Sequence, residues 1–600
     1  MSSRASGRIG WFLVWAVVFC DIGTSVYYVP GLLYGSTGDQ AGVFVVLTMV
    51  GFVLLSAKIV EVTRRFSQGG GVVSVADEAL GPWWGCLGGQ LIVVDYYLTA
   101  AISAASGAAY IDSAYDLGTG ALPLTLVFLG LLALLNIVGI RESARASAVL
   151  AVSAILVDLL VIAVAALSFP PDTWAKILDD ILATRDLPLP ALLFGYSGAW
   201  LAFSGLESLS QLAPAMRDLD ATPRKGMIAV VVTVICTVPL LTFFAVGALP
   251  AEVKAHESER FISELALLVG GPGFGLLLKL AVVLSASALL GFAANTAIIG
   301  NYHVQVALTR KRFLPAGVAS LSRQFQTPWV AILVSTVVPG VVLVLAGNNM
   351  VILGELYAFG LLGAFVLTSL GIDVLRWREG RRDLVFWLGV LTTLAVMLAF
   401  GVNLVSKPLA TAFGGGITAF GLLVALATRR DWFSRLLARW PRFAPPAPVE
   451  VEGRFLTGEQ AAAEAGDGGI LVASRGASVK LFKEAVERAR MRGLDRVFVL
   501  YVDEVPGLFY PQFAAPTPEG ATVLEASALH VEALGLRCVP VWAISHDAAA
   551  TTAELAVRLR CDAVVVGATQ RGFLWTALRG KYIQTLLRRL PADIRVVVVG

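Results

Sequence analysis

Twelve apolar runs fill most of the first 430 positions of this 600-residue chain, at 11–35, 41–62, 82–113, 121–140, 146–168, 190–214, 226–249, 270–302, 328–346, 351–374, 384–404 and 408–428. Runs of about 20 apolar residues span the hydrocarbon core as helices, because a lipid-exposed backbone must satisfy its own hydrogen bonds. With 57% hydrophobic and 15% charged residues and a mean hydropathy of +0.77, the chain reads as a polytopic membrane protein. The net charge is only +3, and its Lys and Arg are scattered among loops, so no basic stripe points to nucleic acid. Cys20, Cys86, Cys236, Cys538 and Cys561 form no CxxC pair and no Cys/His cluster, which argues against zinc and a disulfide framework. The four histidines are expected in loops, at helix ends or in the polar tail, leaving carboxylates to carry any proton.

The first apolar run continues past a short signal-like core without a cleavage site, so it reads as a retained helix. Placing the amino terminus in the cytoplasm puts Arg64, Arg65, Arg141, Arg145, Arg224, Lys225, Arg310, Lys311, Arg381 and Arg382 inside; the opposite side carries Asp39, Asp112 and Asp116. The positive-inside rule then predicts a multi-pass plasma-membrane protein with both termini cytoplasmic. Two segments on the outer side, Asp172–Leu187 and Ala251–Leu268, have helical apolar spacing and read as covering helices, the second as a lid or a plain surface helix.

Asp21, Asp95 and Glu207 lie inside these spans among hydroxyl-bearing and glycine residues. A charge at the centre of a transmembrane helix costs about 2.5–3.5 kcal/mol on insertion scales, so three of them mark an ion path, or else structural hydrogen-bonding groups between helices. The first and sixth spans are interrupted: Cys20-Asp21-Ile22-Gly23-Thr24-Ser25 precedes Tyr27, Tyr28 and Pro30, and Gly195, Ser197 and Gly198 precede Phe203-Ser204-Gly205-Leu206-Glu207-Ser208. Breaks five spans apart are the mark of an inverted five-plus-five repeat with a site at mid-membrane, although glycine also serves plain helix packing. Asp95, Thr99 and Ser103 share one face of the third span at i, i+4 and i+8, beside Tyr96. Tyr357 of the tenth span reads either as a cavity phenol or as an interfacial aromatic; Glu355, Asp158, Asn295 and Thr296 are further polar positions of unassigned role. A cage of carboxylate, hydroxyl and carbonyl oxygens with no Lys or Arg among them suits a dehydrated monovalent cation. Adjacent carboxylates in low dielectric cannot all stay ionised, which couples cation to proton.

Asp21-Ile22-Gly23-Thr24-Ser25 resembles the signature of the KUP potassium-uptake permeases, in the amino acid-polyamine-organocation superfamily with its LeuT-type fold. Asp95-Tyr96-Tyr97-Leu98-Thr99, Leu135-Asn136-Ile137-Val138-Gly139-Ile140 and Phe203-Ser204-Gly205-Leu206-Glu207-Ser208 are similar to the KimA-type members that carry a soluble tail. The resemblance implies inward movement of a potassium ion with a proton, with cation contacts from Asp21, Tyr28, Asp95, Tyr96, Thr99, Ser103, Ser204 and Tyr357 and with Glu207 as the proton-linked acid. Ser204 stands where the family more often has threonine, and Cys20 where many members have glycine; neither change removes a ligand.

After position 430 a proline-bearing linker, 431–457, leads to a polar domain at 458–600. Apolar strand candidates Gly469–Ser474, Arg496–Val502, Arg537–Ile544, Asp562–Gly567 and Ile594–Val599 alternate with helical stretches, which predicts a doubly wound parallel sheet. The tail resembles the universal stress protein fold. Ser474, Arg475, Gly476, Gly567, Arg571 and Gly572 fall where that fold meets phosphate, but the glycine spacing and Lys581 depart from its ATP pattern. In KimA-type relatives such a tail implies cyclic di-AMP sensing and homodimerisation; a ligand-free dimerisation module is the alternative.

The fold expected is thus an α-helical membrane protein of twelve transmembrane helices in a LeuT-type repeat, 1–430, with a cytosolic α/β domain. The function expected is potassium/proton symport, with no enzymatic activity and no resident cofactor. A proton-coupled amino acid or polyamine permease is the main rival, and a membrane-tethered nucleotide sensor without transport is the third reading.

Overall fold

The computed structural model describes residues 9–67, 69, 71–115, 121–139, 144–322, 325, 327–430, 432, 455–463, 468–476, 478–504, 516, 518–545, 547–567, 582–591 and 593–599. They form two compact units, a helical one within 9–441 and an α/β one within 442–600.

In the helical unit the first pass is split into α1 (Trp11–Ile22) and α2 (Ser25–Thr37), and α3 (Ala41–Arg65) returns. Short α4 (Gly71–Leu80) leads into α5 (Pro82–Tyr115), followed by α6 (Ala121–Val138), α7 (Ala144–Ser168) and the amphipathic α8 (Pro171–Ala183). The sixth pass is again split, into α9 (Leu189–Ala199) and α10 (Ser208–Gln211). Then come α11 (Thr222–Ala248), short α12 (Ala251–His256) and α13 (Phe261–Gly270), and the long passes α14 (Phe274–Arg310), α15 (Trp329–Leu345), α16 (Met350–Arg378), α17 (Leu384–Ser406) and α18 (Pro408–Arg429).

Side-chain size sorts the faces of these helices. On α7 the buried positions are Ser147, Ala151, Ala154, Asp158, Val161 and Ala165, at helical spacing, while Val149, Leu156 and Leu167 point outward. Small residues let backbones approach, and leucine loses nothing by facing lipid.

At the two splits, hydroxyls add hydrogen bonds to carbonyls such as those of Asp21, Gly205 and Glu207, whose backbone partner is the amide three residues on. Thr24 donates to the Asp21 carbonyl at 2.6 Å and Ser25 to that of Ile22 at 2.7 Å. Ser210 donates to the Glu207 carbonyl at 2.7 Å, and Ser208 to that of Gly205. The serines and threonines that mark these breaks therefore satisfy the loosened backbone locally.

Three features depart from the sequence expectations. First, α14 runs on to Arg310, eight residues beyond the expected end, so His303 is a buried helical residue rather than a terminal one. Second, the segment after α11 is no surface helix: α13 buries Phe261, Ile262, Leu265 and Ala266, and buried Lys254 donates to Asp39 at 2.6 Å. A Cβ on Gly31 of α2 would lie 1.7 Å from the Ser258 carbonyl oxygen, so only glycine admits this contact. Third, the membrane unit holds a buried ion pair that the acid-centred reading missed. Lys58 of α3 donates to Asp373 of α16 at 2.8 Å, to the Ser369 hydroxyl at 2.7 Å and to Thr393 of α17 at 2.8 Å.

The α/β unit is one six-stranded parallel sheet: β1 (Leu456–Thr457), β2 (Gly469–Ala473), β3 (Arg496–Glu504), β4 (Arg537–Ser545), β5 (Cys561–Gly567) and β6 (Arg595–Val599), in the order β1-β4-β3-β2-β5-β6. Helices α19 (Gly458–Ala463), α20 (Val479–Met491), α21 (Pro518–Ala533), α22 (Ala548–Arg558) and α23 (Tyr582–Arg589) alternate with the strands. From β2 the chain steps outward through β3 and β4, with β1 beyond them, and then crosses to β5 and β6 on the other side, so the topological switch point lies between β2 and β5.

Candidate functional site

The two helix breaks face each other. Gly205 has a φ of +96°, and a Cβ there would come within 2.7 Å of the Asp21 carboxyl carbon and 2.8 Å of the Ile22 amide. The second break is thereby pressed against the first, and both bring their acids: Asp21 and Glu207 lie within electrostatic reach of each other. Asp95 of α5 is in reach of both, and the Tyr28 phenol of all three. Glycine also sets the approach of α16, where a Cβ on Gly360 would lie 2.6 Å from the Asp95 amide.

Hydroxyls complete the cluster. The Thr99 hydroxyl donates to the Asp95 carbonyl at 2.9 Å and pairs with the Tyr357 phenol at 2.8 Å; Ser204 meets the same phenol. A hydroxyl has one proton to give, so with Thr99 committed to the carbonyl, Tyr357 donates to Thr99. Although Tyr357 approaches the Asp95 carboxylate, among the described residues neither Asp95 oxygen has a hydrogen bond of ordinary geometry, and the residue is 0% exposed. One Glu207 oxygen is likewise buried with no hydrogen-bond partner among the described residues. Such acids are costly unless something else occupies the site.

Of the expected site residues, Asp21, Tyr28, Asp95, Thr99, Ser204, Glu207 and Tyr357 come together, and Tyr357 is buried rather than interfacial. Tyr96 joins through its charge environment and receives a hydrogen bond from the Gln211 amide. Gln211 was missed, since an uncharged amide just past a helix break carries no periodic signal. Ser103, a turn beyond Thr99, is buried with no hydrogen-bond partner among the described residues. Asn295 accepts from Asn136 at 2.7 Å in an interhelical contact. Glu355 is partly exposed.

A profile of the amino acid permease family matches residues 9–427, which covers both helix breaks and every acid of the cluster. The chain belongs to that family. Among its described residues it holds ten helices long and apolar enough to cross a membrane, and residues 470–599 match the universal stress protein family. Its curated relatives carry different solutes. It is 26% identical over 310 residues to the branched-chain amino acid permease BcaP of Bacillus subtilis (strain 168), covering 50% of this chain and 60% of that one. To the potassium transporter KimA of the same organism it is 26% identical over 263 residues, 42% of each chain. To its methylthioribose transporter it is 23% identical over 388 residues, covering 60% and 78%. The permease thus spans less than two thirds of the first two relatives' own length.

In the α/β unit, Ser474, Arg475 and Gly476 follow β2 and Gly567 ends β5, so all four sit at the switch point. The Arg475 guanidinium is taken by Glu504 at 2.6 Å, and Ser474 donates to the Gly476 carbonyl. Arg571 and Gly572 lie outside the described residues.

The fit of Gly205 yields a test of the cluster. A side chain in this backbone region costs roughly 1–2 kcal/mol even without a clash. Gly205→Ala is expected to cut tracer uptake into proteoliposomes about tenfold while the protein still elutes as a single peak. Wild-type uptake would mean that the contact between the breaks does not support the site.

Proposed function

We propose that the permease moves potassium inward together with a proton. The observation that carries the reading is the Asp95 carboxylate, wholly buried, with no hydrogen bond of ordinary geometry among the described residues, and close to two further acids and a set of hydroxyls. Potassium would be held by Asp21, Tyr28, Asp95, Tyr96, Thr99, Ser204 and Tyr357, with Ser103 farther along the same face, and Glu207 would hold the proton. One monovalent cation and one proton offset two of three carboxylate charges, and the phenols and hydroxyls solvate the third. In this reading the protein lies in the cell membrane with both termini cytoplasmic. The α/β unit would pair as a homodimer and adjust flux by binding cyclic di-AMP, with Ser474, Gly476, Gly567, Arg571 and Gly572 around its phosphates.

The family profile and the likeness to BcaP favour a second reading, proton-coupled amino acid transport. There the substrate's ammonium would meet Asp95, but its carboxylate would enter beside Asp21 and Glu207, and three acids oppose it. A polyamine meets no such opposition. Flux decides among them. Purified permease in liposomes, with an acid exterior, is expected to accumulate potassium, with rubidium competing and leucine or spermidine not. Leucine uptake indifferent to potassium would replace this reading with the amino acid one.

A further inference from the structure

Asp158 of α7 is as deeply buried as Asp95, and nothing above uses it. One carboxylate oxygen accepts a hydrogen bond from the Tyr27 phenol at 3.2 Å; the other is buried with no hydrogen-bond partner among the described residues. Among the described residues it has no ion pair, and the cluster at the helix breaks does not reach it. Of the helices packed on α7, α1, α11 and α14 put no charge beside it. From α13 the nearest charge is Glu264, held by Lys279 of α14 at 2.8 Å and by Arg260 at 3.7 Å. A carboxylate so isolated from cations and water is accommodated by a proton on the open oxygen.

The surroundings hold Tyr27 in place and set a cavity next to the residue that braces it. Tyr110 of α5 packs edge-on against the Tyr27 ring at 5.7 Å and donates to the Tyr27 carbonyl at 3.0 Å, which fixes the phenol against Asp158. Ala109, next to Tyr110, lines a cavity of about 550 Å³ together with Asp112, Glu259 and Arg260, on the α12–α13 face. Burial pushes the Glu259 carboxyl up to about 7, so this cavity holds a group that exchanges protons near neutrality. Tyr27 and Tyr28 are consecutive on α2, the first contacting Asp158 and the second facing the acids of the breaks. The half-helix α2 thus joins two buried acidic sites.

We propose that Asp158 is a second proton-binding site of the permease, filled from the α12–α13 face and linked through Tyr27 on α2 to the site at the helix breaks. This goes beyond the potassium reading and holds for any solute.

The test uses full-length protein in lipid. Infrared difference spectra between acid and alkaline buffer are expected to contain a protonated-carboxyl component that Asp158→Asn removes and Asp95→Asn keeps. Asparagine preserves shape and can still accept from Tyr27, and Tyr27→Phe should shift the same component without deleting a carboxyl. In flux, Asp158→Asn should lower the ratio of proton-driven uptake to equal-pH exchange about tenfold. Identical spectra for wild type and Asp158→Asn would overturn the proposal, as would equal loss of driven uptake and exchange. Should the wild type fail to carry potassium while the component is present, the potassium reading falls and this site stands.

Discussion

Asp95→Asn is expected to reduce proton-driven potassium uptake about a hundredfold, the largest loss of any single change at the helix breaks. A hydrogen bond or close contact to a charged group contributes about 1.5–3 kcal/mol, and each 1.4 kcal/mol is a factor of ten. No water reaches Asp95 to replace the lost charge, and the amide offers a bare cation one neutral oxygen where the carboxylate offers two charged ones. Folding should survive, because among the described residues neither carboxylate oxygen makes a hydrogen bond of ordinary geometry for the asparagine to lose. Thr99→Ala, which removes a neutral ligand, should cost about tenfold. Uptake by Asp95→Asn within a factor of about two of wild type would remove the cation site, whatever the solute. The control is elution as a single peak with an unchanged melting temperature.

The part of this site that was legible in the sequence is the part written locally. Asp21 and Glu207 each stand beside glycine and serine within an apolar run, and Asp95 and Thr99 recur one helical turn apart, so short windows suffice. The passes were equally plain, since lipid demands long apolar runs, and strand-helix alternation announced the parallel sheet. Pairings across distance were not legible. Lys58 and Asp373 are lone charges in separate apolar helices, 315 positions apart, and only the packing of α3 against α16 and α17 brings them together. Tyr27 and Asp158, 131 positions apart, were opaque for the same reason. His303 was misplaced by a boundary: α14 keeps its helical geometry through Asn301, His303 and Gln305, polar residues that lowered the apolar signal before the helix ended.

Lys58→Met should be the most destabilising substitution in the membrane unit. The ammonium, with three protons to give, lies within hydrogen-bonding distance of four acceptors, on Asp373, the hydroxyl and carbonyl of Ser369, and Thr393, joining three helices. Methionine fills much of the space but leaves the Asp373 carboxylate buried with Thr393 as its remaining partner, and uncovering one member of a buried pair costs about 3–5 kcal/mol. The Arg376 guanidinium gives its hydrogen bonds to Glu61 and the Val385 carbonyl and not to Asp373. Replacing both members removes the uncompensated charge, so Lys58→Met with Asp373→Leu should regain most of the lost stability; an apolar pair of similar volume is often neutral or better. Melting of the detergent-solubilised protein gives the answer. The single variant should melt well below wild type and the double variant close to it, and equal melting of single and double variants would show that α3, α16 and α17 are held by apolar packing alone.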